Sequence, residues 1–522
     1  MSVTTPTNSQ LWTSELAEET RQWMRYLYFR PWMKDKTILD LGGSTRFGAA
    51  IASVEATSVD LVTNVDALDS IYPNASIGLI PLTHWDTCAS RYDVVFSFGA
   101  LNHCDDPILL LANLANCSGQ IAVGYEPDGK WSFDCFRSAI EEAFEGRPIR
   151  WLWQQPEWPY RLTENETEGA GYWVAAIGEE APISWPSLGI SMPTMDNPAC
   201  VKDAVLGLTR TYPGQLHIAV TANGSSAATL TELKQIETEL PNQVTILESE
   251  TNLGYGQGCN RGLDFLVEKY GFEGQENWMY GVCNDDVLPD PECLGELVYG
   301  MIALKELGLN PGLIGPVSNY VNGAQQVQIS EFNSYSSMLD SVLEYRREHH
   351  SSATQTKQVR GLLWIVDAKC LQEVGGFDPI FGIGNFEDDD YNLRTSLAGY
   401  TLWIADGAFL YHHGSTTFRQ LDVNYESNIE RNSEALTRKW NLSSIDQWVQ
   451  VDAVPAGVSN HVPLGSWNEP RESHLIQING EKVDLIHQAS DIEFAAWVMK
   501  ELKAQPRASR KLLIDTIQRL AA

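Results

Sequence analysis

The side chains best equipped for chemistry in this sequence are two acidic clusters about a hundred residues apart. Asn284-Asp285-Asp286 follows the apolar stretch 278–282 and precedes Val287-Leu288-Pro289, which puts two or three oxygen-bearing side chains at a strand end. Hard divalent cations take such oxygen ligands and share them with substrate phosphates, whereas an Asx-rich turn is the plain alternative for an isolated Asn-Asp-Asp. Farther on, Glu387, Asp388, Asp389 and Asp390 crowd ahead of a helical segment within GGFDPIFGIGNFEDDDYNLR. Acids at a helix N-terminus are stabilised by its dipole, but four in a row exceed a cap, and their mutual repulsion suits a general base or a metal neighbour. Leu410-Tyr411-His412-His413 then ends an apolar run and offers an imidazole able to complete an Asp/His metal site, although a lone histidine is more often structural.

Groups so far apart meet only if strands deliver them to one edge of a sheet. A chain of 522 residues exceeds a single core and predicts two or three domains. Residues 37–123 alternate apolar runs (37–41, 59–62 and 92–97) with helical segments such as 108–114, the pattern of a doubly wound α/β unit. A second cycle follows the proline-bearing stretch APISWPSLG, with strands expected at 190–192, 215–220 and 244–247 and helices at 227–240 and 260–269. Helical patterns at 429–440 and 491–520 mark the tail. The expected fold class is α/β: two Rossmann-like domains, at 1–182 and 183–440, with a helical C-terminal appendage at 441–522.

Composition narrows the function. Lys+Arg number 36 against 68 Asp+Glu, a net charge of −32 that disfavours nucleic acid as a partner. No run reaches the roughly 20 apolar residues of a membrane span, and the start has no signal-peptide pattern, so a cytoplasmic protein without a transmembrane segment is expected. Nine scattered cysteines without C-x-x-C spacing read as reduced thiols.

In order, PTMDNPACVKDAV, TANGSS, NLGYGQGCNRGL, CNDDVLPD, GGFDPIFGIGNFEDDDYNLR and LYHHGSTT resemble the successive motifs of family 2 inverting glycosyltransferases of the GT-A fold, rhamnosyltransferase-like members above all. The resemblance covers roughly residues 187–440. It implies that Pro193, Thr194, Asp196, Asn223, Asn252, Gly254, Asn260, Asn284 and Asp285 bind a nucleotide-diphosphate sugar donor. It further implies that Asp286 and His412 hold Mn²⁺ or Mg²⁺, and that Asp388 is the catalytic base; such a base must be ionised at pH 7, which a metal or Arg394 nearby would favour. Glu387 and Trp364 fall beside the acceptor, a glycan or lipid-linked saccharide; Trp364 could stack on a sugar ring or pack in a core. Asn284 departs from the Asp usual in the metal motif, and Ala222 from the acid usual in the second nucleotide loop, which leaves the donor base open.

The first half resembles a class I S-adenosylmethionine-dependent methyltransferase over about residues 35–180, through Asp40-Leu41-Gly42-Gly43-Ser44, Asp60 and YDVVFSFGALNHCDDP. That likeness implies that Gly42, Gly43 and Ser44 flank the cofactor's methionine part, Asp60 its ribose and Ser97 its sulfonium. Together the two resemblances imply a glycosyltransferase with a fused domain that O-methylates the same saccharide. The alternative is a non-catalytic recognition or scaffolding module joined to an active glycosyltransferase.

Overall fold

The computed structural model describes residues 14–41, 56–62, 75–78, 92–127, 130–156, 160–164, 171–182, 184–272, 278–330, 332, 334–349, 352–414, 425–468, 475–478 and 481–484. The first sheet is built from β1 (Thr37–Leu41), β2 (Ser58–Val62), β3 (Ala75–Gly78), β4 (Val94–Ser97), β5 (Gln120–Tyr125), β6 (Ile149–Gln154), β7 (Leu162–Glu164) and β8 (Tyr172–Ile177), in the order β3-β2-β1-β4-β5-β8-β6-β7. Strands β3, β2, β1, β4 and β5 are parallel, and β8 runs antiparallel between β5 and β6. A sheet covered on both faces needs strands apolar on both, and every residue of β4 and of β8 is buried.

The second sheet is built from β9 (Ser187–Thr194), β10 (Leu216–Asn223), β11 (Val244–Ser249), β12 (Trp278–Cys283), β13 (Val287–Pro289), β14 (Pro311–Ser318), β15 (Ala353–Thr356), β16 (Leu363–Val366) and β17 (Thr401–His412). Its order is β11-β10-β9-β12-β16-β14-β17-β13, with β15 paired to β17. From β9 the chain winds outward through β10 and β11, then returns to place β12 on the other side of β9, all four strands parallel. Both sheets are therefore Rossmann-like α/β layers. The reversal between β9 and β12 is a topological switch point, the place where open α/β sheets bind ligands beyond their carboxyl ends. β9 continues through Pro193 and Thr194, which the sequence placed in a loop. β12 accompanies β9 only as far as Ser191, so on that side Pro193 has no ladder bond to lose.

The two sheets share a core. One apolar cluster runs from Trp23, Leu27 and Trp32, in the helices Ser14–Tyr28 and Arg30–Met33, to Leu294 and Leu297 in the helix Cys293–Glu306. A Cβ added to Gly295 would lie 3.8 Å from Leu27 Cδ2. Buried charges cross the same junction. Arg30 Nη1 lies 2.7 Å from Glu296 Oε1 and Trp23 Nε1 donates to Glu292 Oε1 at 3.3 Å, while within the second unit Arg346 backs the same acids, pairing with Asp290 at 2.7 Å and with Glu292 at 3.3 Å. Burial pushes the Glu292 carboxyl up to about 7 against the pull of Arg346. Arg30→Ala leaves Glu296 without this charge partner and is expected to destabilise the protein by about 3–5 kcal/mol. A denaturant midpoint unchanged from wild type would refute this.

Of the tail expected to be helical, residues 491–520 lie outside the described residues. Within 441–484 the chain forms two 3₁₀ turns, Ile445–Gln450 and Leu464–Asn468, and a hairpin of Leu475–Ile478 with Glu481–Asp484. Pro455, Gly457 and Pro463 interrupt anything longer. The second turn docks on the helix Tyr255–Tyr270, where Trp467 Nε1 donates to Asp264 Oδ2 at 2.8 Å. Among the described residues no helix is long and apolar enough to cross a membrane.

Candidate active site

The carboxyl ends of β9, β10 and β12 open into a cavity of about 540 Å³. Asp286, Asp388 and His412 all line it, as do Pro193, Thr194, Asn223, Asn252, Asn284, Asp285 and Glu387. On one wall, β13 pairs with β17 so that Val287 faces His412, and the His413 N–H donates to the Asp286 carbonyl at 3.0 Å. Asn319 fastens the His412 backbone with both amide atoms, at 2.8 and 3.2 Å. His412 Nδ1 lies 2.7 Å from the Tyr320 carbonyl, which can only accept, so that nitrogen carries the hydrogen and Nε2 points at Asp286 Oδ1, 3.1 Å away. Burial acts to lower the imidazole pKa, but the Asp286 carboxylate outweighs it and the net shift is upward. Asp286 Oδ1 and His412 Nε2 face each other, a pair that fits a divalent cation once Nε2 gives up its proton, with the histidine oriented by a backbone carbonyl behind it. Among the described residues no group of three or more His, Cys, Asp or Glu forms a metal cluster. Asp285 turns the other way and accepts from Thr194 Oγ1 at 2.6 Å; burial and the neighbouring Asp286 push it up to about 7.

The opposite wall is the first turn of the helix Glu387–Leu397. Asp388 Oδ1 accepts from the Asp389 N–H at 2.9 Å, and Oδ2 from the Gly361 N–H at 3.3 Å. Glu387 is buried, its Oε2 has no hydrogen-bond partner among the described residues, and burial together with Asp388 raises its pKa to about 8. Burial, then Asp388, likewise raises Asp389 to about 7. Because folding raises the Glu387 pKa from about 4.5, the folded state keeps a proton that the unfolded chain releases, and stability falls as pH rises between those values. Glu387→Gln removes that dependence. Its stability relative to wild type is expected to improve between pH 5 and pH 8 by up to about 1.4 kcal/mol per pH unit, measured by denaturation at both pH values; a constant difference refutes it.

The backbone entering this helix is strained. Gly382, Gly384, Asn385 and Phe386 all have positive φ, and a left-handed Asn or Phe costs on the order of 1–3 kcal/mol. The helix Tyr425–Lys439 compensates. Its fully buried Asn432 donates through Nδ2 to the carbonyls of Phe381, Gly384 and Asn385 at 2.7, 2.7 and 3.1 Å, and Asn428 adds a bond to Gly384 at 2.8 Å.

Several side chains sit where they cannot play the roles expected of them. Trp364 is 1% exposed and packs on Tyr391 and Phe377, so it offers no face to a sugar. Asn260 is fully buried and fastens the Phe377 backbone in both directions at 2.7 and 2.8 Å. Asp196 does not line the cavity; it accepts from Ser226 N and Thr229 Oγ1 at 2.8 Å each, tying its loop to the start of the helix Ala227–Glu239. Gly254 is needed for contact with protein rather than ligand, since a Cβ there would sit 1.9 Å from the Gly382 carbonyl oxygen. Arg394 faces away from Asp388 and pairs with the buried Asp390 at 2.8 Å, which Lys439 also neutralises. The charge beside Asp388 is Arg360, whose Nη1 lies 3.6 Å from Asp388 Oδ2 and which the sequence reading missed; its signal was a lone arginine four residues before Trp364, the residue expected beside the acceptor. Asn223 and Asn252 line the cavity while bonding each other at 3.0 Å, and so shape the loop as well as its surface.

In the first sheet, Gly42, Gly43 and Ser44 lie outside the described residues. Asp60 Oδ2 accepts the Tyr92 hydroxyl, and Ser97 is fully buried with an unpartnered Oγ among the described residues.

No protein-family model matches this chain, and no curated protein matches it. Among solved structures it is similar to GalNAc-T7 with UDP, GalNAc and Mn²⁺, at 11% identity and a TM-score of 0.36, covering 51% of this chain and 50% of that one. It is also similar to the mannosyltransferase PcManGT from Pyrobaculum calidifontis in complex with GDP-Man and Mn²⁺, at 13% identity and 0.35, covering 65% and 81%. A TehB-like SAM-dependent methyltransferase from Corynebacterium glutamicum aligns at 16% identity and 0.24, covering 32% of this chain and all of that one. The chain thus spans half of the first of these proteins, and at such scores the likeness decides nothing about function.

Proposed function

We propose that the cavity is the active site of a metal-dependent inverting glycosyltransferase, which moves a sugar from a nucleotide-diphosphate donor to a hydroxyl of a glycan or lipid-linked saccharide. The observation that carries this reading is the meeting of Asp286, His412 and Asp388 in one cleft at the switch point of the second sheet. Asp286 Oδ1 and His412 Nε2 would hold Mn²⁺ or Mg²⁺, which when bound neutralises charge building on the leaving diphosphate. Thr194, Asn223 and Asn284 line the donor end of the cavity. Asp388 would take the proton of the acceptor hydroxyl as that oxygen attacks the anomeric carbon from the face opposite the diphosphate, and one such displacement inverts the centre. Purified protein with Mn²⁺ and a panel of nucleotide sugars is expected to release free nucleoside diphosphate. Release from none of them, with saccharide acceptors present, would overturn the proposal.

For the first unit we favour support over methyl transfer, because Trp23 and Arg30 are built into the segment that follows the metal-side strand β13. Calorimetric titration with S-adenosylmethionine is expected to show no binding; micromolar binding would restore the methyltransferase reading.

A further inference from the structure

A short segment connects the two walls of the cleft. The Leu362 carbonyl accepts from the Asn284 N–H at 2.8 Å, on the metal side. One residue earlier, the Gly361 N–H donates to Asp388 Oδ2 at 3.3 Å and the Gly361 carbonyl accepts the Tyr255 hydroxyl. Arg360 Nη1 lies 3.6 Å from Asp388 Oδ2 and within 3.2 and 3.3 Å of the two Asp389 oxygens, which Gln358 also contacts. The segment is itself anchored from behind. The Arg360 N–H donates to Gln325 Oε1 at 2.6 Å, and Val359 exchanges bonds with the Asn392 side chain at 2.9 and 3.2 Å.

We propose that Arg360 is a positioning residue for the proposed base: its guanidinium, held on the 358–362 bridge, fixes the Asp388 carboxylate at a set place relative to the metal-side wall. The proposal rests on the transferase reading. Its geometry is specific. One nitrogen serves two neighbouring carboxylates, and the side chain is 27% exposed at the cavity surface, so shortening it opens a space that solvent can enter. An Asp388 left to rotate would lose the alignment that proton removal requires, and misplacement by about 1 Å costs on the order of 100-fold in rate.

Arg360→Ala is therefore expected to lower kcat about 100-fold while the donor KM changes less than about threefold, and added guanidinium ion is expected to restore at least about tenfold of the loss. Arg360→Lys, which keeps the charge but not the two-carboxylate reach, should fall between. A kcat within threefold of wild type, or a loss that guanidinium does not restore, overturns the proposal. Independently of turnover, unfolding midpoints of Arg360→Ala, Asp388→Asn and the double variant should be non-additive, whereas additive midpoints would remove the contact itself. Absence of any donor cleavage by the wild-type protein counts against the transferase reading instead, and leaves the cycle to decide on the contact.

Discussion

Asp388→Asn is expected to lower sugar transfer by about three orders of magnitude while donor and Mn²⁺ affinities stay within a few-fold, because general base catalysis contributes roughly 10²–10⁴. The neighbouring acids cannot take over. Asp390 is buried between Arg394, Lys439 and the Trp440 N–H, far from any acceptor. Burial raises Glu387 to about 8, so it keeps its proton at neutral pH, and Asp389 is already engaged by Gln358 and by Arg360. Asparagine preserves size and can still accept the Gly361 N–H, so the change removes basicity and little else. Steady-state kinetics with calorimetry of nucleoside diphosphate binding separates the two effects. Transfer within tenfold of wild type would reassign the base.

The second large effect belongs to Asp286→Ala. With that carboxylate gone, His412 Nε2 faces an empty position and the proposed cation site would lose its carboxylate. A bound cation supplies several kcal/mol of charge stabilisation, and each 1.36 kcal/mol is tenfold, so a loss of about 10³ in transfer is expected. The diagnostic measurement is the binding of nucleoside diphosphate with and without Mn²⁺: wild type should bind more tightly with the ion, and Asp286→Ala should be indifferent to it. Undiminished Mn²⁺ dependence in the variant would place the ion elsewhere. His412→Ala should act in the same direction with a smaller effect, since an imidazole brings no charge of its own to the ion.

The strands expected in both sheets were legible because runs such as Val94–Ser97 and Leu216–Asn223 are buried on both faces, as parallel strands under two helical layers must be, whereas strands such as Ala75–Gly78 and Ala353–Thr356 carry no such run. Their polar ends were legible for the same reason, and Asp286 and His412 meet because Asp286 leads into β13, whose first residue pairs with the last residue of β17. What stayed hidden depends on contacts across the fold. Trp364 is an aromatic residue at the right place in the chain, but only the packing of Phe377 and Tyr391 shows that its ring is covered. Asn260 and Gly254 sit in a segment whose partners, around residues 377–383, come more than a hundred positions later. The error over Arg394 was avoidable. At 100° per residue, a side chain six positions beyond Asp388 points to the far side of the helix, whereas one four positions beyond Asp390 lies directly over it.

Trp23 and Arg30, planted among Glu292, Glu296 and Leu294, have a consequence for traffic through the molecule. Neighbouring domains usually hinge, and many multistep enzymes exploit that freedom to swing a bound intermediate from one station to the next. Here a common core and interlocked ions weld the halves together, so neither can act as a ferry for the other. Cargo visiting both would have to let go and cross the intervening water, or be long enough to lie over the two mouths at once.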